Sequence, residues 1–404
     1  MNDNNFERTN AVDATLKGTN QSGMRAHNER LFLSQVRQHG ALAKSDLAKM
    51  TGLSAQTVSV IMRELENDGL LLRGEPIRGK IGQPSVPMRL NPDGAYFLGL
   101  KLGRRSSDLT LIDFLGQVRA SEHLIYPYPT VASVTDFVAE AYEKIVADLP
   151  RDQRQRIAGL GVAMPFRMWE WVQQIGAPQA AMEEWHDSNL QKEIEELTGL
   201  PVFVQNDASS ACGAELIFGK GERPKNFLYF YFGTFIGGGL VIGGQLFVGT
   251  TGNAAGVGSM PLPAENGTMK SLINAASVQV LADDMFRNGE SADHIWEQAG
   301  EWHVSEAVLD RWMDGAAKGL AWATLSATAL LELDAVLIDG WMPTEIRSAI
   351  VVRVSKALRS LDTAGVVLPA VREGTIGAYA RSLGAAAIPL SQRYLIDQNA
   401  AGRT

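Results

Sequence analysis

The chain has 404 residues, of which 45% are hydrophobic and 20% charged, and its formal net charge is −8. This length exceeds one ordinary domain and the composition supplies apolar cores, so we expect two or three globular domains without general disorder. No stretch approaches about eighteen uncharged apolar residues and the N-terminus lacks a signal-peptide core, which predicts a cytoplasmic protein without a membrane segment. The single cysteine, Cys212, excludes an internal disulfide and a thiolate-rich metal site.

Positive charge is concentrated near the N-terminus. Residues 1–90 hold 12 Lys and Arg against 9 Asp and Glu, whereas the remainder holds 25 against 36. A basic head suits contact with phosphates, and an acidic body does not. We predict a flexible N-terminal arm at 1–23, a DNA-binding head at 24–90 and a separate body at 91–404.

The head shows the pattern of a helix-turn-helix. A first helix has one face at Leu31, Phe32, Gln35, Val36 and His39, and it ends at Gly40. Ser45 is placed to cap a short helix that runs through Met50, and Gly52 supplies the turn. Ser54 is placed to cap a longer helix that ends near Asn67. This glycine turn between two short helices is typical of DNA-binding proteins.

The second helix of such a motif enters the major groove with its N-terminal part. Here that part reads SAQTVS, so Gln56 can hydrogen-bond to bases, and Ala55 or Thr57 can contact thymine methyl groups. A hairpin that serves only packing is the alternative, but packing does not explain these polar residues. The predicted DNA contacts in this motif are Lys44, Ser45, Ser54, Ala55, Gln56, Thr57, Ser59, Val60 and Arg63.

Two short strands around the loop RGKIGQP predict a wing after the third helix. A basic, glycine-containing loop can enter a minor groove or follow phosphates, so its predicted DNA contacts are Arg78, Lys80 and Gln83. A solvated hairpin without contacts is the alternative.

The body alternates strands and helices. Glycine-punctuated hairpins at 95–118 and 226–249 have the rhythm of an α/β kinase lobe. Residues 157–166 read as a buried strand that ends in a proline turn, 183–199 as one amphipathic helix, and 200–219 as a strand running into a helix. Helices dominate after Ser271, with a further strand at 335–340. This pattern predicts an α/β body.

The combined order of motifs resembles the ROK family, which contains bacterial sugar kinases and repressors with an actin-like kinase fold. The resemblance runs from Met24 to Pro389 and is carried by PVFVQNDASSA, GTFIGGGLVIGGQLFVG and GTTGNAAGVGSMPL. It implies an N-terminal winged helix-turn-helix followed by a two-lobed actin-like, sugar-kinase-like body, and a dimer or tetramer. Within this family, such a head separates repressors from kinases.

Both phosphate loops of the family's kinases are altered here. Those kinases begin the body with an acidic residue and a Gly-Gly-Thr loop, where this chain has Lys101, Arg104 and Arg105. In the second loop, Phe235 stands where the family has glycine. A phosphate cradle needs small residues because backbone N–H groups must approach the phosphate. We therefore predict no catalysis and no use of ATP, with the remaining glycines serving turns.

The family signature GNAGEIGHM reads GNAAGVGSM here, with Gly256 at the glutamate and Ser259 at the histidine. In relatives that histidine joins three cysteines on a zinc ion, whereas residues 261–279 contain no cysteine or histidine. The resemblance therefore predicts no structural zinc in this chain, and no other cofactor is predicted. The same glutamate and histidine contact sugar hydroxyls in relatives, so those contacts are depleted here.

The resemblance places a sugar site at Asn206 and Asp207, where family kinases have a sugar contact and the catalytic base. Without ATP, Asp207 can only bind hydroxyls; a cap for a helix from Ala208 is the alternative, and the two roles are compatible. Core packing is the alternative for Trp185. The predicted ligand contacts are Met164, Pro165, Phe166, Trp185, Asn206, Asp207, Asn253 and Ser259.

These expectations combine into one function. We predict a DNA-binding regulator that represses carbohydrate uptake or catabolism genes, binds a palindromic operator as a homodimer or tetramer, and is controlled by a small sugar or polyol. One alternative keeps the head but has a protein partner, or no ligand, in control. Another is a sugar kinase, which leaves the head unexplained.

Overall fold

The computed structural model describes residues 21–76, 86–172, 176–222, 224–263 and 267–396. The chain divides into two compact units. The first takes in 1–162, 167–204 and 385–404, and the second takes in 163–166 and 205–384. Each unit contains its own five-stranded sheet.

The head lies at the start of the first unit. Its helices are α1 (Gln21–His39), α2 (Lys44–Thr51) and α3 (Ala55–Asn67). Because α1 begins at Gln21, the end of the predicted arm is helical. Gly40 and Gly52 adopt positive φ angles of 77° and 70°, which confirms the predicted ends of α1 and α2.

The predicted cap at Ser45 is wrong. Helix α2 begins at Lys44, and its N-cap residue Ala43 makes no side-chain cap bond. Leu42 pairs with Met88 in an isolated β-bridge, so the chain stays extended up to Ala43 and the helix starts directly after it. Ser45 therefore lies exposed in the first turn.

Three helices and two strands enclose the core of the head. Strands β1 (Leu71–Arg73) and β2 (Met88–Leu90) pair antiparallel, as the predicted wing requires, whereas Arg78, Lys80 and Gln83 lie outside the described residues. On α1 the buried face includes Leu33, while the predicted His39 is exposed. The buried apolar residues of the head include Phe32, Val36, Leu47, Val58, Ile61, Leu65, Leu71 and Leu90.

The sheet of the first unit has the order β5-β4-β3-β6-β7, and β3, β4 and β5 form an antiparallel meander. Its strands are β3 (Tyr96–Leu102), β4 (Ser106–Asp113), β5 (Val118–Ile125), β6 (Ile157–Met164) and β7 (Val202–Asn206). The accompanying helices are α4 (Val131–Ala147), α5 (Arg151–Arg154), α6 (Gln179–Asp187) and α7 (Leu190–Thr198).

The single amphipathic helix predicted at 183–199 is two helices, α6 and α7. Ser188 has an extended backbone with ψ of 150°, which ends α6. Asn189 then starts α7, because its side chain accepts a hydrogen bond from the Lys192 N–H. Serine and asparagine favour such local bonds over the middle of a helix, and this preference outweighs the apolar period.

The sheet of the second unit has the order β10-β9-β8-β13-β14. Its strands are β8 (Phe227–Phe232), β9 (Ile236–Ile242), β10 (Gln245–Phe247), β13 (Ala335–Gly340) and β14 (Ala370–Glu373), and β11 (Pro261–Pro263) with β12 (Met269–Ser271) forms a small hairpin. The helices that follow β7 are α8 (Asp207–Phe218), α9 (Ile273–Ala276), α10 (Val278–Arg287), α11 (Asp293–Glu297), α12 (Glu306–Leu331), α13 (Thr344–Arg359) and α14 (Ala380–Tyr394).

Both sheets share one topology. In each, the first strand lies at the centre, the second and third extend to one side, and the fourth and fifth extend to the other. This repetition confirms the predicted two-lobed α/β body of the actin-like kind. Among the described residues, no helix is long and apolar enough to cross a membrane.

The head is packed within the first unit. The Arg37 guanidinium on α1 donates a hydrogen bond to the Phe114 carbonyl and lies over the Phe114 ring. The Ile396 N–H donates to the Ser34 hydroxyl at 3.1 Å. Helix α1 of the head therefore contacts the residue that follows β4 and the segment that follows α14.

Candidate functional site

The start of α3 is an exposed, capped helix end. The Ser54 hydroxyl accepts from the Thr57 N–H at 3.1 Å and lies 2.9 Å from the Thr57 hydroxyl, so the cap holds both side chains. The Ser59 hydroxyl donates to the Ala55 carbonyl. Val58 is fully buried and fixes the opposite face of the helix. The polar side chain that this arrangement presents to solvent is Gln56.

The predicted DNA contacts of the helix-turn-helix share one property, which is accessibility to solvent. Exposed members are Lys44, Ser45, Ser54, Ala55, Gln56, Val60 and Arg63, and the half-buried members are Thr57 and Ser59. The geometry therefore brings them to the surface of α2 and α3. Ser54, Thr57 and Ser59 already form hydrogen bonds within α3, which leaves Gln56 as the residue best placed to read a base.

The first hairpin, between β3 and β4, is closed by charge. The Lys101 Nζ donates to the Ser106 hydroxyl at 2.7 Å and pairs with Asp108 at 2.9 Å. His123 Nδ1 contacts the other oxygen of Asp108. Burial by itself raises the pKa of Asp108, but Lys101 and His123 hold it below its usual value. The loop where kinases of the family bind phosphate thus contains an ion pair of the chain itself.

The second hairpin, between β8 and β9, is closed by neutral hydrogen bonds. The Gln279 N–H at the start of α10 donates to the Thr234 carbonyl at 3.0 Å. The Ile236 N–H donates to the buried Ser277 hydroxyl at 3.0 Å. Free N–H groups at a helix N-terminus are what binds a phosphate, and here α10 directs them to the hairpin.

Asn206 and Asp207 lie at the junction of β7 and α8. The Asn206 side chain is the helix cap, since its oxygen accepts from the N–H groups of Ala208 and Ser209 at 3.0 and 3.2 Å. The cap assigned to Asp207 as an alternative is therefore wrong, because α8 starts one residue earlier than predicted. The Asp207 carboxylate instead accepts from Arg381 Nη1 at 3.3 Å.

Arg381 is a residue that sequence reasoning missed. Its guanidinium lies 5.2 Å from the centre of the Tyr231 ring and pairs with Asp207. Burial by itself lowers the pKa of Arg381, but Tyr231 and Asp207 raise it above its usual value. A Cβ on Gly233 would come within 3.8 Å of Arg381 Nη1, so the second hairpin borders this pair.

A second contact joins Asn206 to the loop after β10. The Asn206 amide nitrogen lies 3.4 Å from the Asn253 side-chain oxygen. Next to Asn253, Gly252 has a φ of 76°, and a Cβ there would meet the Phe166 ring at 3.1 Å, so glycine is required. The structure therefore brings Phe166, Asn253, Asn206 and Asp207 together in the second unit. Met164 and Pro165, which precede Phe166, are buried.

The two remaining predicted ligand contacts have different surroundings. Trp185 is 1% exposed, and its indole N–H donates to the Pro129 carbonyl at 3.0 Å. Its role is core packing in the first unit, so its assignment as a ligand contact is wrong. Ser259 is exposed in the turn Val257–Ser259, where its N–H donates to the Gly256 carbonyl.

Ala255 has a strained backbone beside Asn253. Its φ is 56°, in the left-handed region that alanine rarely adopts. The family signature has glycine at this position. Gly256, at the signature's glutamate, is exposed, and a Cβ there would have no neighbour closer than 3.7 Å. Within the described part of the chain, no cluster of three or more His, Cys, Asp and Glu could hold a metal ion.

The comparisons with known proteins agree with this architecture. The ROK family profile matches residues 97–388, and a winged helix-turn-helix DNA-binding profile matches 29–71. The xylose repressor of Bacillus spizizenii is 23% identical over 242 residues, which cover 60% of this chain and 62% of the repressor. The chain therefore spans less than two thirds of the length of that relative.

Two further similarities extend over nearly the whole chain. A transcriptional regulator of Mycobacterium bovis is 24% identical over 384 residues, covering 89% of this chain and 84% of the relative. The crystal structure of a ROK family transcriptional regulator, a homologue of the Escherichia coli MLC protein, has a TM-score of 0.66 at 20% identity. It covers 92% of this chain and 97% of that chain, which shows the shared fold. The chain therefore belongs to the ROK family and carries an N-terminal winged helix-turn-helix.

Proposed function

We propose that the chain is a transcriptional repressor that binds operator DNA through α3 and senses a small sugar or polyol in its body. The observation that carries the proposal is the start of α3, where a capped helix end presents Gln56 to solvent above a buried Val58. A helix of this kind can enter the major groove, and a glutamine can bind adenine through two hydrogen bonds.

Operator binding requires two such helices. Helix-turn-helix proteins commonly dimerise so that two recognition helices meet half-sites about one helical turn apart, or a multiple of it. We therefore propose a homodimer or tetramer acting in the cytoplasm on a palindromic operator. The basic wing with Arg78, Lys80 and Gln83 adds contacts that carry no base discrimination if they reach phosphates.

The body is proposed to bind without catalysing. Asp207 is paired with Arg381, so its carboxylate is not poised as a free base for a sugar hydroxyl. Bonds within the chain hold both hairpins, and we take this as support for a body that does not bind ATP phosphates. A sugar site therefore serves as a sensor. The similarity to xylose repressors makes D-xylose the first ligand to try.

The operator is found by selecting bound duplexes from a random DNA library. We expect a palindromic consensus, and Gln56→Ala should lose about 1–3 kcal/mol of discrimination at one base pair of each half-site. The exposed Gln155 in the body is the control, and its replacement by alanine should cause no such change. Selection that yields no consensus, or a Gln56→Ala variant with unaltered base preference, contradicts the DNA-binding part of the proposal.

One alternative is control by a protein partner or by no ligand. The residues at positions 256 and 259 favour this alternative. Relatives have a glutamate and a histidine there that contact the sugar, whereas this chain has the exposed Gly256 and Ser259. A thermal-shift screen with pentoses, hexoses and polyols separates the two, since a ligand of the folded state raises the melting temperature. A coupled assay with ATP and the same sugars should stay at background; turnover that is lost in Asp207→Asn supports the kinase alternative instead.

A further inference from the structure

The ion pair between Arg381 and Asp207 differs from the structural ion pair of the same unit. Arg347 bonds two carboxylates, Asp339 at 2.9 Å and Glu373 at 3.1 Å. Asp339 is fully buried and also accepts from the Tyr229 hydroxyl and the N–H of Gly377. Such a network satisfies its polar atoms and serves stability.

The Arg381 guanidinium is less completely bonded. Its one bond to a carboxylate is the 3.3 Å contact with Asp207, and its buried Nε has no hydrogen-bond partner among the described residues. The Tyr231 ring supports one side of the guanidinium. An arginine with unused donors beside a single carboxylate retains the capacity to bind a further acceptor.

The pair also lies at the edge of solvent. The side chains of Arg381 and Asp207 are 12% and 15% exposed, whereas that of Asp339 is 0% exposed. It adjoins the amide of Asn206, whose nitrogen faces Asn253 rather than the helix. Charged and neutral polar groups therefore lie close together here. Arg381 and the Asn206 amide nitrogen are donors, and the Asp207 carboxylate is an acceptor.

Charge balance limits the kind of molecule that this pair accepts. A hydroxyl group can donate to Asp207 and accept from Arg381 at once, so it inserts without leaving a charge unpaired. A carboxylate or phosphate binds Arg381 but repels Asp207, and an ammonium group does the reverse. In a partly buried site, each ionic ligand leaves one protein charge without its partner, which is unfavourable.

We propose that Arg381 contacts the effector and that, together with Asp207, it selects an uncharged polyhydroxy compound over acidic, phosphorylated or amino sugars. This inference rests on the proposed sensing function and narrows its ligand class. Arg381 is thus a specificity-determining residue of the effector site.

The test measures binding of a matched pentose series by calorimetry. The series is D-xylose, xylitol, D-xylonate, D-xylose 5-phosphate and 2-amino-2-deoxy-D-xylose. Wild type should bind D-xylose or xylitol at least tenfold more tightly than the charged members. Arg381→Met should weaken the neutral members at least tenfold and shift preference toward the amino sugar, because Asp207 is then unpaired. Asp207→Asn should shift preference toward D-xylonate, because Arg381 is then unpaired.

Controls separate a lost contact from a lost fold. Arg381→Lys keeps the charge and should keep the neutral preference. If Arg381→Met melts early, Arg381→Gln replaces it, because this change also removes the charge and should cause the same loss of affinity and the same shift of preference. Arg353→Met removes a half-buried arginine that pairs with Asp310 and Asp314 elsewhere in the same unit, and it should change no affinity. Wild-type binding of the neutral sugar with unaltered preferences in Arg381→Met and Asp207→Asn overturns this inference and leaves the sensing function intact.

Failure of the sensing function looks different. If wild type binds no member of this series, nor of the matching glucose, sorbitol, gluconate, glucose 6-phosphate and glucosamine series, the sugar effector and this inference both fall, while operator binding stands. If wild type prefers a charged member at least tenfold, the sensing function stands and the selection of a neutral ligand is wrong.

Discussion

The hairpins that open the two sheets occupy equivalent places in the topology, yet they are held by different forces. The first depends on an ion pair across β3 and β4, with Lys101 and His123 on either side of Asp108. The second depends on neutral hydrogen bonds to the residues around the start of α10. Two hairpins with the same place in the strand order are thus held by different interactions, an ion pair in the first and neutral hydrogen bonds in the second.

The two hairpins bear on the prediction that this chain does not use ATP. A phosphate cradle requires free N–H groups and open space, whereas here bonds within the chain hold each hairpin by a different kind of contact. The site between Asn206 and Arg381 in the second unit lacks such a closure, since its donors and acceptors remain partly exposed. The proposed sensing role uses this site and not the hairpins.

The largest expected effect comes from breaking the charged hairpin. Lys101→Met leaves the Asp108 carboxylate with His123 as its remaining partner, so the free energy of unfolding should fall by about 2–3 kcal/mol. The value lies below that of a fully buried pair because Asp108 is 21% exposed. Urea unfolding measures this change in the free energy of unfolding. Lys192→Met, which removes an exposed pair with Glu196, should change the stability little; equal losses in both variants contradict the account.

The pH dependence of the unfolding free energy tests the same ion pair. Lys101 and His123 lower the pKa of Asp108 in the folded state, so the stabilisation is complete above the unfolded value of about 3.9 and is lost as the pH falls through the folded value. The difference in unfolding free energy between wild type and Lys101→Met should shrink as the pH falls below about 4, where Asp108 becomes protonated. A difference that persists unchanged at low pH contradicts a charge-held hairpin.

The neutral hairpin is broken by Ser277→Ala. This change leaves the buried Ile236 N–H without its acceptor, which should cost about 1–3 kcal/mol. The loss should be independent of pH between about 4 and 8, because no ionisable group is involved. Ser360→Ala, on an exposed helix end, is the control and should stay within about 0.5 kcal/mol of wild type. If the loss of unfolding free energy in Ser277→Ala depends strongly on pH, the second hairpin is not held by neutral hydrogen bonds.

The smallest effect concerns Ala255, the residue with a left-handed backbone two positions after Asn253. Ala255→Gly should relieve the left-handed backbone and raise the unfolding free energy by up to about 1 kcal/mol, after the greater flexibility of glycine in the unfolded chain is subtracted. Ala254→Gly, next to it, lacks this strain and should destabilise. Thermal melts compare the two. Destabilisation by Ala255→Gly means that the strain is not relieved by glycine.

Local pattern predicted the head and the strand framework well. Apolar periodicity and glycine turns placed α1, α3 and both hairpins, because these features depend on neighbouring residues. The split of residues 183–199 at Ser188 and the start of α2 at Lys44 were missed, because side-chain capping and a bridge from Leu42 to Met88 decide them.

The candidate site was predictable only in part. Asn206 and Asp207 could be found from the strand and helix that meet there. The ion pair of Lys101 and Asp108 could have been found, since the two residues are cross-strand partners in the β3–β4 register. Arg381 lies 174 positions from Asp207, and no local pattern joins two residues that meet only through the tertiary fold.

The most direct test of the account is operator release measured by fluorescence anisotropy, without ATP, in wild type and Asp207→Asn. We predict that the neutral sugar releases wild type from its selected operator, and that Asp207→Asn holds the operator equally well without ligand but needs at least tenfold more sugar for release. The expected loss is that of one charge-assisted hydrogen bond, about 1.5–3 kcal/mol. Release that requires ATP, or release at the same sugar concentration in both proteins, contradicts a non-catalytic sensor with Asp207 in its site.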